Sequence, residues 1–193
     1  MVFVAYSFKL AFRCKTISMK KILYLSIFMI ALISLGCKKD RNDEKIEITT
    51  DNLTTCPKDF NCTYLYNDNA DFGDSFFLDL KKGNYRVFKY SALLGNGFYA
   101  KYINIRVPIN VTQFKLTSAQ ILEGNLHFAN PCPTCNTIGF NVTGGSFKGV
   151  KIAGSSPKWL LDGEVYLGAT GSVSSVRDTI RIKQYFTPDP VKI

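Results

Sequence analysis

Six cysteines, one histidine and a pair of carboxylates two residues apart are the side chains here whose types and spacing could do chemistry. Four of the cysteines, Cys56, Cys62, Cys132 and Cys135, fall into two close pairs. A CxxC redox centre in "CPTC" would need a thiolate of lowered pKa, usually at a helix N-terminus. Instead "NTIGFNVTGG" follows, which reads as strand and turn. A zinc site of four thiolates has suitable ligand spacing only in the second pair. Asn136 stands where a c-type haem motif needs histidine. That leaves cystines, and four cysteines permit three pairings. The sequence-local option, Cys56 with Cys62 and Cys132 with Cys135, is preferred because each pair flanks a proline-bearing turn. The crossed options, which would close longer loops and restrict the unfolded chain more, stay open.

The other candidates for chemistry are thinner. His127, in "LHFANP", is the only histidine, so any Ser-His or His-metal mechanism would rest on it alone. Asp162 and Glu164 project from one face of a strand, as the paired carboxylates of a glycosidase would, but they read equally as the solvent face of an amphipathic strand. In "NDNADFGD" the residues Asn67, Asn69 and Asp71 alternate as calcium ligands do, yet Phe72 takes the place of the required glycine. We therefore expect no catalytic residue, no metal and no cofactor.

The elements that must position these residues are strands. "YINIRV" sets Ile103, Ile105 and Val107 against Tyr102, Asn104 and Arg106, the period of two of a half-buried strand. "WLLDGEVYL" aligns Trp159, Leu161, Val165 and Leu167 as a core face, with Asp162, Glu164 and Tyr166 opposite. "SFFLDL" and "DTIRIKQYF" alternate in the same way. Turn markers at 82–84, 94–97, 143–146 and 154–157 separate the runs. "SAQILEG" is the one plausible helical turn, too short for an independent helix. The expectation is an all-β domain over residues 56–193, an antiparallel β-sandwich or barrel of about eight to ten short strands. Tyrosines recur on these strands, and Tyr64, Tyr66, Tyr102 and Tyr166 could form a stacking platform for a glycan or peptide, although tyrosine suits strands in any case.

The compartment comes from the other end of the chain. From Met19, which could be the true start, Lys20 and Lys21 precede an apolar run from Ile22 to Leu35. A basic n-region before an apolar h-region is the layout of a secretory signal, and the run is shorter than the roughly 20 residues a membrane-spanning helix needs. "LISLGC", Leu32 to Cys37, resembles the lipobox of bacterial, Gram-negative lipoproteins. The resemblance implies a signal peptide over residues 1–36 and a diacylglyceryl thioether on Cys37, which becomes the mature N-terminus. It also implies anchoring in the cell envelope, at the outer membrane. Two or more acyl chains make such an anchor durable, where one gives only reversible attachment. Export to an oxidising compartment favours cystines over a zinc site.

Processing changes the charge. The whole chain carries +9, but Lys9, Arg13, Lys15, Lys20 and Lys21 all precede Cys37 while every acidic residue follows it, leaving a mature excess of four. That excess is dispersed, unlike the concentrated basic stripe of a nucleic-acid binder. Residues 37–55 mix both signs, lack aromatics and read as a solvated, lipidated tether. The expected function is a lipid-anchored envelope β-domain that binds a glycan, a peptide or an envelope protein without catalysis. The alternatives are a calycin-like barrel carrying a small apolar ligand and an envelope glycan hydrolase built on Asp162 and Glu164.

Overall fold

The computed structural model describes residues 45–74, 79–95, 97–132, 139–154, 156–170, 175–191 and 193. Cys37, the apolar run before it and Cys135 lie outside them, as do residues 75–78 of the expected "SFFLDL" strand. The described residues carry eight strands: β1 (Phe60–Phe72), β2 (Leu80–Leu94), β3 (Ala100–Pro108), β4 (Gln113–Leu116), β5 (Leu126–Ala129), β6 (Phe140–Ile152), β7 (Lys158–Ala169) and β8 (Arg177–Pro188). A helical turn, Ser118–Gln120, widens into Ile121–Asn125 and links β4 to β5. Thr117 caps it: its hydroxyl accepts the Gln120 N–H, and its own N–H donates in return to the Gln120 side-chain oxygen.

The fold is all-β. The strands form one curled sheet, a half-barrel, in the order β4-β6-β7-β8-β1-β2-β3-β5. Every neighbouring pair is antiparallel except β8 with β1, which meet in parallel over only two positions, Leu65 with Thr187 and Tyr66 with Pro188. Curling brings the inner faces of the two halves together. Phe88 of β2 packs against Trp159 of β7, Phe114 of β4 and Phe186 of β8 with ring centroids 5.4, 5.5 and 5.6 Å apart. Trp159, Phe88, Phe147 and Phe186 are fully buried in a single cluster that draws on both halves. Each such aromatic pair adds about 0.5–1.5 kcal/mol beyond the area it buries.

The strands are longer than the turn markers imply, because two of those markers lie inside strands. Gly83 is within β2, where a Cβ would lie 2.5 Å from Asp71 Cβ and 2.8 Å from the Ala70 carbonyl oxygen. Gly145 of β6 has φ 141°, and a Cβ there would lie 2.3 Å from the Glu164 carbonyl oxygen. Register shifts accompany both, at 68–71 in β1 and between Val142 and Gly144 in β6. These glycines mark bulges and close backbone approach, not chain reversals. The β1 irregularity, centred on Asn69 at φ 55°, turns Ala70 and Phe72 away from the main core. There they join Val87 and Leu80 in a small second cluster.

Residues 45–55, read from sequence as a solvated tether, form no regular element but are fastened to the sheet. Thr54 donates its N–H to the Lys183 carbonyl at 2.8 Å, and its hydroxyl accepts the Lys183 N–H at 2.7 Å. Ile46 donates its N–H to the Gln113 side chain at 3.0 Å. The physical reason is the short β8–β1 seam: β8 would otherwise leave backbone groups unpaired, and Thr54 supplies the partners.

Candidate functional site

The outer face of β4, β6, β7 and β8 carries a dense grouping of charge. Register places Lys115 opposite Lys148, Lys148 opposite Asp162, and Asp162 opposite Lys183, one row across four strands. A second row beside it runs Ser146, Glu164, Arg181. Adjacent strands are about 4.8 Å apart, so the charges of a row are near neighbours. Asn52 and Thr54 of the fastened N-terminal segment stand beside the rows and complete a cleft of about 480 Å³, within the roughly 300–1,000 Å³ typical of small-ligand sites.

The cleft holds four cationic side chains and two carboxylates. Lys148 pairs with Asp162 at 3.3 Å and Arg181 with Glu164 at 3.0 Å. The Lys183 amine donates to the Thr49 hydroxyl at 3.2 Å. Lys115 is exposed, and its amine has no hydrogen-bond or ion-pair partner among the described residues. The Tyr166 hydroxyl donates to Glu164; that hydrogen bond, and then the one from Arg181, hold the Glu164 carboxyl below its ordinary range. A glycosidase acid needs the opposite shift. The carboxylate pair does share one face, as the alternation in β7 requires, but each member is matched to a cation.

No known family, curated protein or solved structure matches this chain. The site is accordingly defined by its own residues.

Of the residues singled out from sequence, Cys56 and Cys62 are disulfide-bonded with Cα atoms 5.7 Å apart. Cys132 is also disulfide-bonded, so the crossed pairings that would use Cys56 or Cys62 are absent. The four tyrosines do not form one platform. Tyr64 and Tyr66 share the inward parity of β1; Tyr66 is 6% exposed, and Tyr64 packs on Tyr90 and Phe186 with ring centroids 5.4 and 5.6 Å apart. Their rings close the core because the inner face of a curled sheet must be filled. Tyr102 and Tyr166 lie on β3 and β7, four strands apart in the sheet order, with Tyr166 43% exposed.

The acidic stretch at 67–74 is not a ligand loop. Residues 67–72 of it belong to β1, and its oxygens serve other partners: Asp68 takes Arg86 at 2.5 and 2.9 Å, and Asp71 takes Arg106 at 3.0 Å. Among the described residues no group of three His, Cys, Asp or Glu side chains converges as a metal site would need. His127 stacks on Phe72 with centroids 4.1 Å apart, and burial, then Arg106, lower its pKa. The lysine row has no signal in the sequence. Lys115, Lys148 and Lys183 sit in three unremarkable strand segments, and only the pairing register puts them side by side.

Proposed function

We propose that this chain is a bacterial envelope lipoprotein whose β-domain is a non-enzymatic binding module, with the cleft over β4, β6, β7 and β8 as its binding face. In this reading the signal over residues 1–36 is removed and Cys37 carries diacylglycerol at the outer membrane. The single observation that carries the binding face is the row Lys115, Lys148, Asp162, Lys183, a cationic excess gathered beside a wall formed by the N-terminal segment. Two further observations favour it over its alternatives. The inner face is filled by Trp159, Phe88, Phe147 and Phe186, which argues against an interior carrier for an apolar ligand. The ion pairs at Asp162 and Glu164 argue against a hydrolase.

The anchor is tested by intact-mass measurement of membrane-extracted protein with and without reduction. The expected species begins at Cys37, carries a diacylglyceryl adduct and gains the mass of two reduced cystines. An unmodified Cys37 thiol, or a polypeptide that begins upstream of it, would refute the topology. The binding face is tested on glycan and peptide arrays with Lys148→Gln and Asp162→Asn, whose signals should fall together.

A further inference from the structure

We infer that the cleft accepts an anionic saccharide, a hydroxyl-rich ring bearing a carboxylate or phosphate. The inference rests on the proposal that this face is where the domain binds. Three features of the cleft and its margin select the chemistry.

The first is the unbalanced charge. Among the described residues the Lys115 amine has no partner and the Lys183 amine donates only to the Thr49 hydroxyl, which leaves an anion-binding excess at the two ends of a row that spans about 14 Å from β4 to β8. The second is the pair of carboxylates between them. Asp162 and Glu164, paired with Lys148 and Arg181, would repel a dense polyanion, but their oxygens accept hydrogen bonds from sugar hydroxyls. The ligand that satisfies both is acidic at one group and rich in hydroxyl donors elsewhere. The third stands beside the cleft, outside its lining: Tyr166, two residues beyond Glu164 on the same face of β7. Its ring is exposed and its hydroxyl is tied to that carboxylate, a flat apolar surface for a sugar ring.

An acidic peptide fits less well. Peptide segments bind sheets by adding a strand at an edge, whereas this floor is the face of β6 and β7, both paired on each side. An anionic bilayer would meet the carboxylates as well as the lysines.

The test is calorimetric titration of the detergent-extracted lipidated protein with four probes. They are trigalacturonate, its carboxyl-reduced neutral counterpart, a hexaglutamate peptide, and vesicles rich in phosphatidylglycerol. Trigalacturonate should bind about tenfold or more tightly than the neutral trisaccharide, a gap of roughly 1.4 kcal/mol, and should weaken with added salt. Lys115→Gln should weaken it about fivefold and Lys115→Arg should retain it, with both variants unfolding at the wild-type temperature. Asp162→Asn should weaken the acidic and the neutral trisaccharide alike. Equal binding of the two trisaccharides, or tighter binding of the peptide or vesicles that is still sensitive to Lys115→Gln, overturns the saccharide inference and leaves the binding face standing. If none of the four probes binds in a manner that depends on Lys115, Lys148 or Asp162, the binding face falls with it.

Discussion

The guanidinium of Arg86, on β2, lies 4.8 Å above the indole of Trp159, on β7, and so ties the two halves of the curled sheet together through a cation and a ring. The same guanidinium donates from Nε and Nη2 to the two oxygens of Asp68 and stands 5.5 Å over Tyr66. Its side chain is 7% exposed, whereas that of Asp68 is 40% exposed. The planar fork therefore serves two ends: it neutralises its charge at the rim and presents its face to the core.

Arg86→Lys should lower stability by about 1–2 kcal/mol, since an ammonium can neither fork onto Asp68 nor stack on Trp159. Arg86→Ala should cost more, about 2–4 kcal/mol, because it also leaves a space beneath the indole. Urea unfolding measures both. A lysine variant within experimental error of wild type would show that the stacked fork contributes nothing.

Tyr64 makes the contrary case. Its hydroxyl is buried and finds no partner among the described residues. Tyr64→Phe should therefore be neutral or stabilise by up to about 1 kcal/mol, since an unpaired buried hydroxyl is a liability. Tyr64→Ala should cost about 3 kcal/mol through lost packing on Tyr90 and Phe186. A clear destabilisation by the phenylalanine change would reveal a hydrogen bond on that oxygen.

Stability should fall at both ends of the pH scale for different reasons. Burial is the largest single influence on the carboxyls of Asp71 and Asp189 and would raise them, but the hydrogen bonds from Arg106 and the Phe72 N–H, and from Lys89 and the Val191 N–H, together with the nearby cationic charge outweigh it and leave both lowered. A lowered carboxyl contributes stability above its unfolded pKa and loses it as pH falls through the folded one. The acid limb should therefore set in within the ordinary aspartate range and deepen below it. Burial, then Tyr64, raise Tyr90 from 10.0 to about 12. The neutral phenol is the form the fold prefers, so its contribution is complete below pH 10 and is lost as pH climbs through about 12. Asp189→Asn should flatten the acid limb and Tyr90→Phe the alkaline one, read as unfolding free energy against pH.

The Cys56–Cys62 bridge joins residues six apart. In the chain-entropy model a loop that small contributes about 2 kcal/mol, equivalent to roughly 5 °C in Tm for a domain of this size. Replacing both cysteines by serine should produce a loss of that order in calorimetry and leave the Cys132 bridge in place. An unchanged Tm would mean that the fastened segment around Thr54 already restrains this end of the chain.

Much of the domain was legible in advance. The alternation of Trp159, Leu161, Val165 and Leu167 against Asp162, Glu164 and Tyr166 is a property of β7 alone, and burial follows it. The alternation in β3 was just as readable, with Ile103, Ile105 and Val107 buried. The tyrosines misled because parity divides a strand into two faces without saying which face turns inward. A stacking platform would need Tyr64 and Tyr66 on the outer face of β1, and the curl of the sheet makes theirs the inner one. Gly83 and Gly145 misled because glycine suits a bulge and a turn equally well.

The sequence by itself determined the all-β class and the core faces of β3 and β7, since both depend on residues close together in the chain; it preferred the local cystine pairing while leaving the crossed ones open, and the structure shows Cys56 bonded to Cys62. Only the tertiary structure decided that β8 meets β1 in a two-position parallel seam, that Thr54 fills the gap beside it, and that Lys115, Lys148 and Lys183 stand in one row with Asp162. Those relationships are set by strand order and register, which arise when separate stretches of chain pair through backbone groups that are alike at every residue. Side-chain type records which face a residue prefers, but it carries almost no label of which neighbour it will meet.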